Sequence, residues 1–241
     1  MGLIDLHCHI LWDLDDGCQS PEETLAAARA LAAAGFTEAA PSPHVQPRYA
    51  GGDAALSRAR LEEARALLAR EGVPLHLHPG GENIVDGTFL DGLAAGATRR
   101  LGDGGRYALV EVPFLAPAPA LGVVMRRMVT EGVTPILAHP ERCVEFEQQG
   151  RAEKMVELGA ALQLNVGALT GRHGPRAQEL AERFLERGLY AVVGTDLHAP
   201  DGAARWLSTA LRALEARVGA AGVERLCVTN PRRALAGEDL V

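Results

Sequence analysis

The stretch Asp5-Leu6-His7-Cys8-His9, followed closely by Leu14-Asp15-Asp16-Gly17, opens the chain and decides how the rest folds. If residues 2–9 form a buried β-strand, successive side chains alternate faces, so His7 and His9 project together and Cys8 points away. Two imidazoles on one face make a metal grip. A carboxylate on the loop leaving the strand, Asp16, can add an oxygen to the same ion or a neighbouring one. A lone His-x-His is a weak signal, as readily two packed histidines as a pair of ligands. The remainder of the chain decides between these.

Ser20-Pro21-Glu22-Glu23 reads as a helix start, with Ser20 as N-cap, Pro21 at the first helical position and Glu23 closing a capping box. The helix runs to about Ala34. A short strand, Phe36 to Ala40, breaks at Pro41-Ser42-Pro43 and leaves His44 just past its end. A second helix covers Ala54 to Arg70. Strand three, Leu75 to His78, leads through Pro79-Gly80-Gly81 to Glu82. The Gly-rich stretch 86–105 reads as a loop with a short helix. Strand four, Arg106 to Glu111, is followed by a helix from Leu121 to Glu131. Strand five, Thr134 to Ala138, ends at His139. A helix from Arg151 to Leu158 precedes strand six, Ala161 to Leu164, and a helix from Pro175 to Arg187 precedes strand seven, Tyr190 to Gly194. That strand ends at Asp196-Leu197-His198, and two helices close the chain.

Seven strands alternating with helices imply a parallel sheet with right-handed crossovers, open or closed. Neither a G-x-G-x-x-G after the first strand nor a G-x-x-x-x-G-K-[ST] is present, so an open nucleotide-binding sheet loses its support. The barrel is favoured by where the polar residues fall. His7, His9, His44, Glu82, Glu111, His139, Asp196 and His198 all sit at strand C-terminal ends, which converge on one face of a parallel barrel. The expectation is a single domain, residues 1–241, an α/β fold of the TIM-like barrel type.

Composition agrees. With 47% apolar residues and few aromatics the chain reads as a well-packed soluble protein. Its formal charge of −7 argues against a nucleic-acid surface. Four cysteines without a C-x-x-C pair point to a reducing compartment, and no leader or apolar span is evident, so the expected location is cytoplasmic with no membrane insertion. No helix shows a clear interface stripe, so the oligomeric state stays open.

With Asp16, nine candidate ligands are in hand, more than the three or four protein ligands of a single zinc ion, so two or three divalent ions with shared carboxylates are expected. Histidine with carboxylate suits Mn, Fe and Zn alike. These residues stand within the segments Ile4-Asp5-Leu6-His7-Cys8-His9-Ile10, Asp15-Asp16-Gly17, Pro43-His44, Gly81-Glu82, Arg106-Tyr107-Ala108-Leu109-Val110-Glu111, Ile136-Leu137-Ala138-His139-Pro140-Glu141-Arg142, Thr195-Asp196-Leu197-His198 and Asn230-Pro231-Arg232. In that order, over nearly the whole chain, they resemble the polymerase and histidinol phosphatase (PHP) superfamily. More narrowly they resemble its bacterial capsular-polysaccharide protein-tyrosine phosphatases.

The resemblance implies a distorted seven-stranded (β/α)7 barrel of PHP type with three divalent ions, Mn foremost. One ion would sit on His7, His9, Glu82 and Asp196, a second on Glu82, Glu111 and His139, and a third on Asp16, His44 and His198. It implies a phosphotyrosine protein substrate, a bacterial tyrosine kinase that controls capsular or exopolysaccharide synthesis. Two departures stand out: Ala203 occupies the place of an arginine usual in these phosphatases, and Ser42 precedes Pro43 where threonine is usual.

Phosphoryl transfer needs positive groups for the phosphate oxygens, and a guanidinium fork matches their geometry. Arg142 is the first choice as clamp, with Arg48 and Arg205 as further candidates. Asp15 and His173 are available as general acids but read more readily as structural. His76-Leu77-His78 repeats the His-x-His pattern, yet nothing in the resembling family matches it, so it reads as rim packing. The alternatives are a small-molecule phosphatase of histidinol-phosphate type and a non-catalytic scaffold that binds a phosphopeptide.

Overall fold

The computed structural model describes residues 2–241. Among these, nine strands form: β1 (Leu3–Cys8), β2 (Phe36–Pro41), β3 (His44–Val45), β4 (His76–Leu77), β5 (Glu82–Ile84), β6 (Tyr107–Glu111), β7 (Thr134–Ala138), β8 (Ala161–Asn165) and β9 (Tyr190–Gly194). The helices are α1 (Pro21–Ala33), α2 (Ala54–Arg70), α3 (Phe89–Ala94), α4 (Leu121–Thr130), α5 (Arg151–Glu157), α6 (Pro175–Glu186), α7 (Ala203–Glu224) and α8 (Asn230–Ala236). Every strand pair is parallel, in two sheets ordered β1-β2-β4 and β3-β5-β6-β7-β8-β9.

Where seven strands are expected, nine shorter ones form in two sheets. The physical reason lies in two interruptions. Pro43 brings no backbone N–H, and Pro79 precedes Gly80, whose bare α-carbon passes so close to Pro41 that a β-carbon there would lie 2.6 Å from the Pro41 carbonyl oxygen. After each interruption the chain resumes as a short strand, β3 or β5. His44 and Glu82 are thus not loop residues. They are the first residues of those strands and face each other in register. At the other margin a single parallel bridge, Cys8 with Leu197, joins the end of β1 to the segment after β9.

Most strand residues are buried on both faces, so these strands read as continuous apolar runs. Leu109, Ile136, Ala138 and Val192 turn inward with Ile4 and Leu6, while Val110, Leu137, Leu162 and Val193 turn outward against the helices. Ala234 and Leu235 of α8 join the inner cluster. Asn230 ties the tail in place: its side-chain amide donates to the carbonyls of Ala191 and Val241, and its oxygen accepts from the Val241 N–H. Within the Asn230-Pro231-Arg232 segment, Asn230 therefore anchors the chain end against β9.

Local signals account for the helix boundaries. Ser20 Oγ accepts from the Glu23 N–H, but the Glu23 carboxylate reaches the Gln19 N–H rather than Ser20, one residue beyond a strict capping box. Asp53 caps α2 through the N–H groups of Ala55 and Leu56. Gly219, with φ +67°, breaks α7 and accounts for the expectation of two closing helices there. All four cysteines are free and buried. Among the described residues no helix is long and apolar enough to cross a membrane.

Candidate active site

His7 and His9, two apart on β1, turn to the same side as the strand period requires, and their Nε2 atoms lie 3.1 Å apart. Each ring is fixed from behind. Gln163 Oε1 lies 2.8 Å from His7 Nδ1, and Asp15 Oδ2 lies 2.8 Å from His9 Nδ1. An acceptor at Nδ1 places the proton there and leaves the Nε2 lone pair facing inward. Two lone pairs aimed at each other across 3.1 Å repel unless something positive lies between them.

Glu82 is the hub. Its Oε1 lies 3.1 Å from His139 Nε2 and 3.4 Å from His7 Nε2, and its Oε2 lies 3.1 Å from His44 Nδ1 and 3.5 Å from His9 Nε2. Glu111 Oε2 approaches His44 at 3.8 Å. Asp196 Oδ1 faces His7, His9 and the His198 ring at 3.4–3.6 Å. Its other oxygen is held by the Asn165 amide at 2.9 Å and by the Arg142 guanidinium. Asp16 Oδ1 lies 3.3 Å from His44 and 3.6 Å from His198.

All nine sequence candidates thus come together. They form four overlapping groups: His7-His9-Asp196, His7-Glu82-His139, His44-Glu82-Glu111 and His9-Asp16-His44-His198. The set that the resemblance puts on Glu82, Glu111 and His139 is divided here, His139 on one side of Glu82 and Glu111 on the other. Whether the donors fit divalent ions can be tested on their partners. Glu82 Oε2 and His44 Nδ1 are buried and make no well-aligned hydrogen bond, although they are only 3.1 Å apart. Short separations without hydrogen-bond geometry are what lone pairs converging on a cation produce, and hard and borderline N/O donors are the right types for one.

Electrostatics point the same way. Burial opposes charge on His7, but the carboxylates of Glu82 and Asp196 outweigh it and raise its pKa to about 10. Burial likewise opposes charge on Glu82, yet the charge of His7 and the close approach of the His139, His44 and His7 imidazoles hold it well below the usual carboxylate range. Glu111 is pushed up to about 7 by burial and then by the charge of Glu82. Without a cation, the cluster balances its charge with protons.

Backbone strain gathers here too. His139 (φ +32°) and Asp196 (φ +54°) occupy the left-handed region, which side chains with a β-carbon enter at a cost of about 1–2 kcal/mol. Gly194 supplies the opposite device, since a β-carbon there would lie 2.7 Å from His7 Cβ and 2.6 Å from Gln163 Nε2.

Several supporting residues lie outside the nine candidate ligands. Asp15 is one: besides orienting His9, it accepts from the N–H groups of Gly17 and His44, so a single carboxylate aligns ligands on β1 and β3. Asp15→Asn is expected to weaken metal affinity about 10–100-fold with the fold intact, read by competition with a chelating dye. Unchanged affinity would make Asp15 a loop brace only.

Buried Glu141 accepts from the Asn165 N–H at 2.8 Å and meets the Tyr190 hydroxyl at 2.9 Å, bracing the segment after His139 against the end of β8 and the start of β9. Burial raises its pKa from 4.5 to about 7. Its protonated form is therefore favoured in the fold, and that stability, complete below pH 4.5, is lost as pH rises through 7. Glu141→Gln removes this loss. Denaturant unfolding should show the variant gaining on the parent by up to about 3 kcal/mol between roughly pH 5 and 8, whereas parallel curves would contradict the argument.

The arginine candidates separate. Arg142 lies over the Phe114 ring, 4.4 Å from its centroid, with its guanidinium on Asp196. Arg48 sits at the rim over Tyr49, whose ring stacks on His44 and whose hydroxyl donates to Asp16. Arg205 is exposed on the first turn of α7, outside the lining of the cavity beside Asp196 and His198. That cavity, of about 320 Å³, is bordered instead by Arg142, Arg172, His173 and Trp206. His76 and His78 lie outside this cluster: His78 pairs with Glu38 at 2.9 Å, and His76 is exposed beside it.

The family model described as capsular polysaccharide synthesis, CpsB/CapC, matches residues 3–236. The chain belongs to the CpsB/CapC family. This CpsB/CapC chain is 31% identical to tyrosine-protein phosphatase YwqE of Bacillus subtilis strain 168 over 197 residues, 81% of this chain and 77% of YwqE. A solved structure from work on YwqE and on CpsB of Streptococcus pneumoniae, there described as metal-dependent tyrosine phosphatases, superposes with a TM-score of 0.91. It shares 29% identity, with 99% of this chain and 96% of that chain covered. Histidinol phosphate phosphatase of Lactococcus lactis shares the fold at a TM-score of 0.57 and 14% identity, with 88% of this chain and 93% of that chain covered.

Proposed function

We propose that this CpsB/CapC protein is a metal-dependent phosphomonoester hydrolase that removes phosphate from phosphotyrosine on a protein. Its substrate on this reading is a bacterial tyrosine kinase that controls capsular or exopolysaccharide synthesis. The observation that carries the proposal is the convergence of nine nitrogen- and oxygen-bearing side chains in four overlapping groups, two of which share Glu82, with buried atoms left without a hydrogen bond. Kinship with proteins named tyrosine-protein phosphatase supports the substrate class.

His7, His9, Glu82 and Asp196 would hold one ion, Asp16, His44 and His198 another, and Glu82 with Glu111 and His139, which stand on either side of it here, a further one, with Mn as the first choice and Fe or Zn as alternatives. Such ions supply Lewis acidity, which makes water nucleophilic near neutral pH and offsets charge on a phosphoryl group. The chain's own contribution is to aim and to hold. Gln163 and Asp15 fix the imidazoles, Asn165 and Arg142 orient Asp196, and the Arg142 fork binds phosphoryl oxygens as charge spreads over them. A phenolate is a good leaving group, so no dedicated general acid is assigned.

On the same reading, β2 with β3 and β4 with β5 are two interrupted strands, and the chain is one distorted (β/α)7 barrel of PHP type spanning residues 1–241. The protein is cytoplasmic. Stripping with chelator, reloading with Mn and comparing phosphate release from a phosphotyrosine peptide and from histidinol phosphate tests the proposal. Metal-dependent release that prefers the peptide is expected. Preference for the small phosphate would make this a small-molecule phosphatase, and binding without release a scaffold.

A further inference from the structure

The cavity beside Asp196 and His198 contains a group that the proposed chemistry above leaves unused. Arg172 lies in Gly171-Arg172-His173-Gly174, between two glycines at φ +76° and +88°, at the end of a short 3-10 turn that comes after β8. Three contacts hold it over the cavity. Its N–H donates to the Gly167 carbonyl at 3.3 Å. Its Cδ lies 3.1 Å from where a Gly167 β-carbon would stand, so the aliphatic stem rests on a bare α-carbon. Its guanidinium lies 4.2 Å from the centroid of the Trp206 ring.

Trp206 extends from the first turn of α7, so the ring and the turn after β8 fix the guanidinium from two elements. Arg142 borders the same cavity, steadied by Phe114. Two forks, each resting on an aromatic face, thus line one 320 Å³ space next to Asp196. A guanidinium laid on an aromatic face keeps its edge N–H groups free to donate, and it is already ordered before a ligand arrives. Asp201 is the other carboxylate bordering the space, so the rim is not uniformly basic.

We infer that Arg172 is the second phosphate-binding arginine of this protein, acting with Arg142 on the substrate phosphoryl group and occupying the role that Ala203 leaves unfilled. The inference rests on the phosphatase reading for its substrate. Its chemical content is narrower: a tetrahedral oxyanion bound between two guanidinium forks. Arg205, two residues past Ala203, is the rival for this role; both arginines are exposed, but only Arg172 lines the cavity. Arg172 contacts the ligand in ground and transition states alike, so it contributes to KM more than to kcat.

The test uses the full-length Mn-loaded protein with Arg172→Gln, Arg172→Lys and Arg205→Gln variants. Calorimetric titration with inorganic phosphate should show affinity about 10–100-fold weaker for Arg172→Gln. Arg172→Lys, which keeps the charge but not the fork, should recover only part of it. With a phosphotyrosine peptide, KM should rise by a similar factor while kcat stays within about threefold. Should the peptide not be hydrolysed at all, the phosphatase reading fails while the phosphate titration still judges Arg172. Phosphate affinity within about twofold of the parent in Arg172→Gln would overturn the inference, as would a loss confined to Arg205→Gln. A lower melting temperature with unchanged phosphate affinity would overturn it as well, leaving Arg172 as a cover for Trp206.

Discussion

Glu82→Gln is expected to lower phosphatase activity at least a thousandfold and to release bound metal. One carboxylate here faces four imidazoles, those of His7, His9, His44 and His139, all within 3.5 Å. The amide is nearly isosteric, but it replaces one acceptor oxygen with an NH2 donor aimed at lone pairs and removes the negative charge that offsets the cations. Electrostatic stabilisation by a bound metal amounts to several kcal/mol, and each 1.36 kcal/mol is about tenfold in rate, which sets the thousandfold scale. Steady-state kinetics with elemental analysis would check it. A Glu82→Gln protein that keeps its metal and more than a tenth of its activity would show that the hub is dispensable.

Removal of metal from the parent protein is expected to lower its melting temperature by about 10 °C while abolishing activity. Without ions, four carboxylates and five imidazoles are left in four overlapping groups, with Glu82 Oε2 and His44 Nδ1 buried and without a hydrogen bond. A ligand present at about a thousand times its Kd stabilises the folded state by about 4 kcal/mol. For a chain of this size each kcal/mol moves the melting temperature by about 2–4 °C. Calorimetry before and after chelation, and again after Mn is restored, reads the effect. An unchanged melting temperature would mean that the cluster balances its charges with protons alone.

Much of the site was legible because its logic is periodic. His7 and His9 obey the strand period, and polar residues ending apolar strands are conspicuous in a parallel sheet. Glu111, His139 and Asp196 were found by that rule alone. His44 and Glu82 were found as residues but misplaced as loop ends, because a two- or three-residue strand after a proline break has no periodicity to detect. The carboxylate and amide behind the imidazoles, Asp15 and Gln163, were harder. Asp15 stands beside a candidate ligand and reads as its neighbour, whereas Gln163 lies 156 positions from His7 and meets it only through the order of the strands. Arg172 is harder still. Nothing in Gly-Arg-His-Gly separates a solvated arginine from one laid on a tryptophan that arrives from another helix. Such contacts are decided by tertiary packing, which pattern reading does not reach.

The most direct test of the central claim is anomalous diffraction from crystals of the Mn-loaded protein, recorded on both sides of the manganese edge. The account predicts peaks between His7 and His9 and against both oxygens of Glu82, with Asp196 Oδ1 facing one of them. Crystals in which the loaded protein shows no anomalous density within this cluster, or shows it only at the surface, would contradict it.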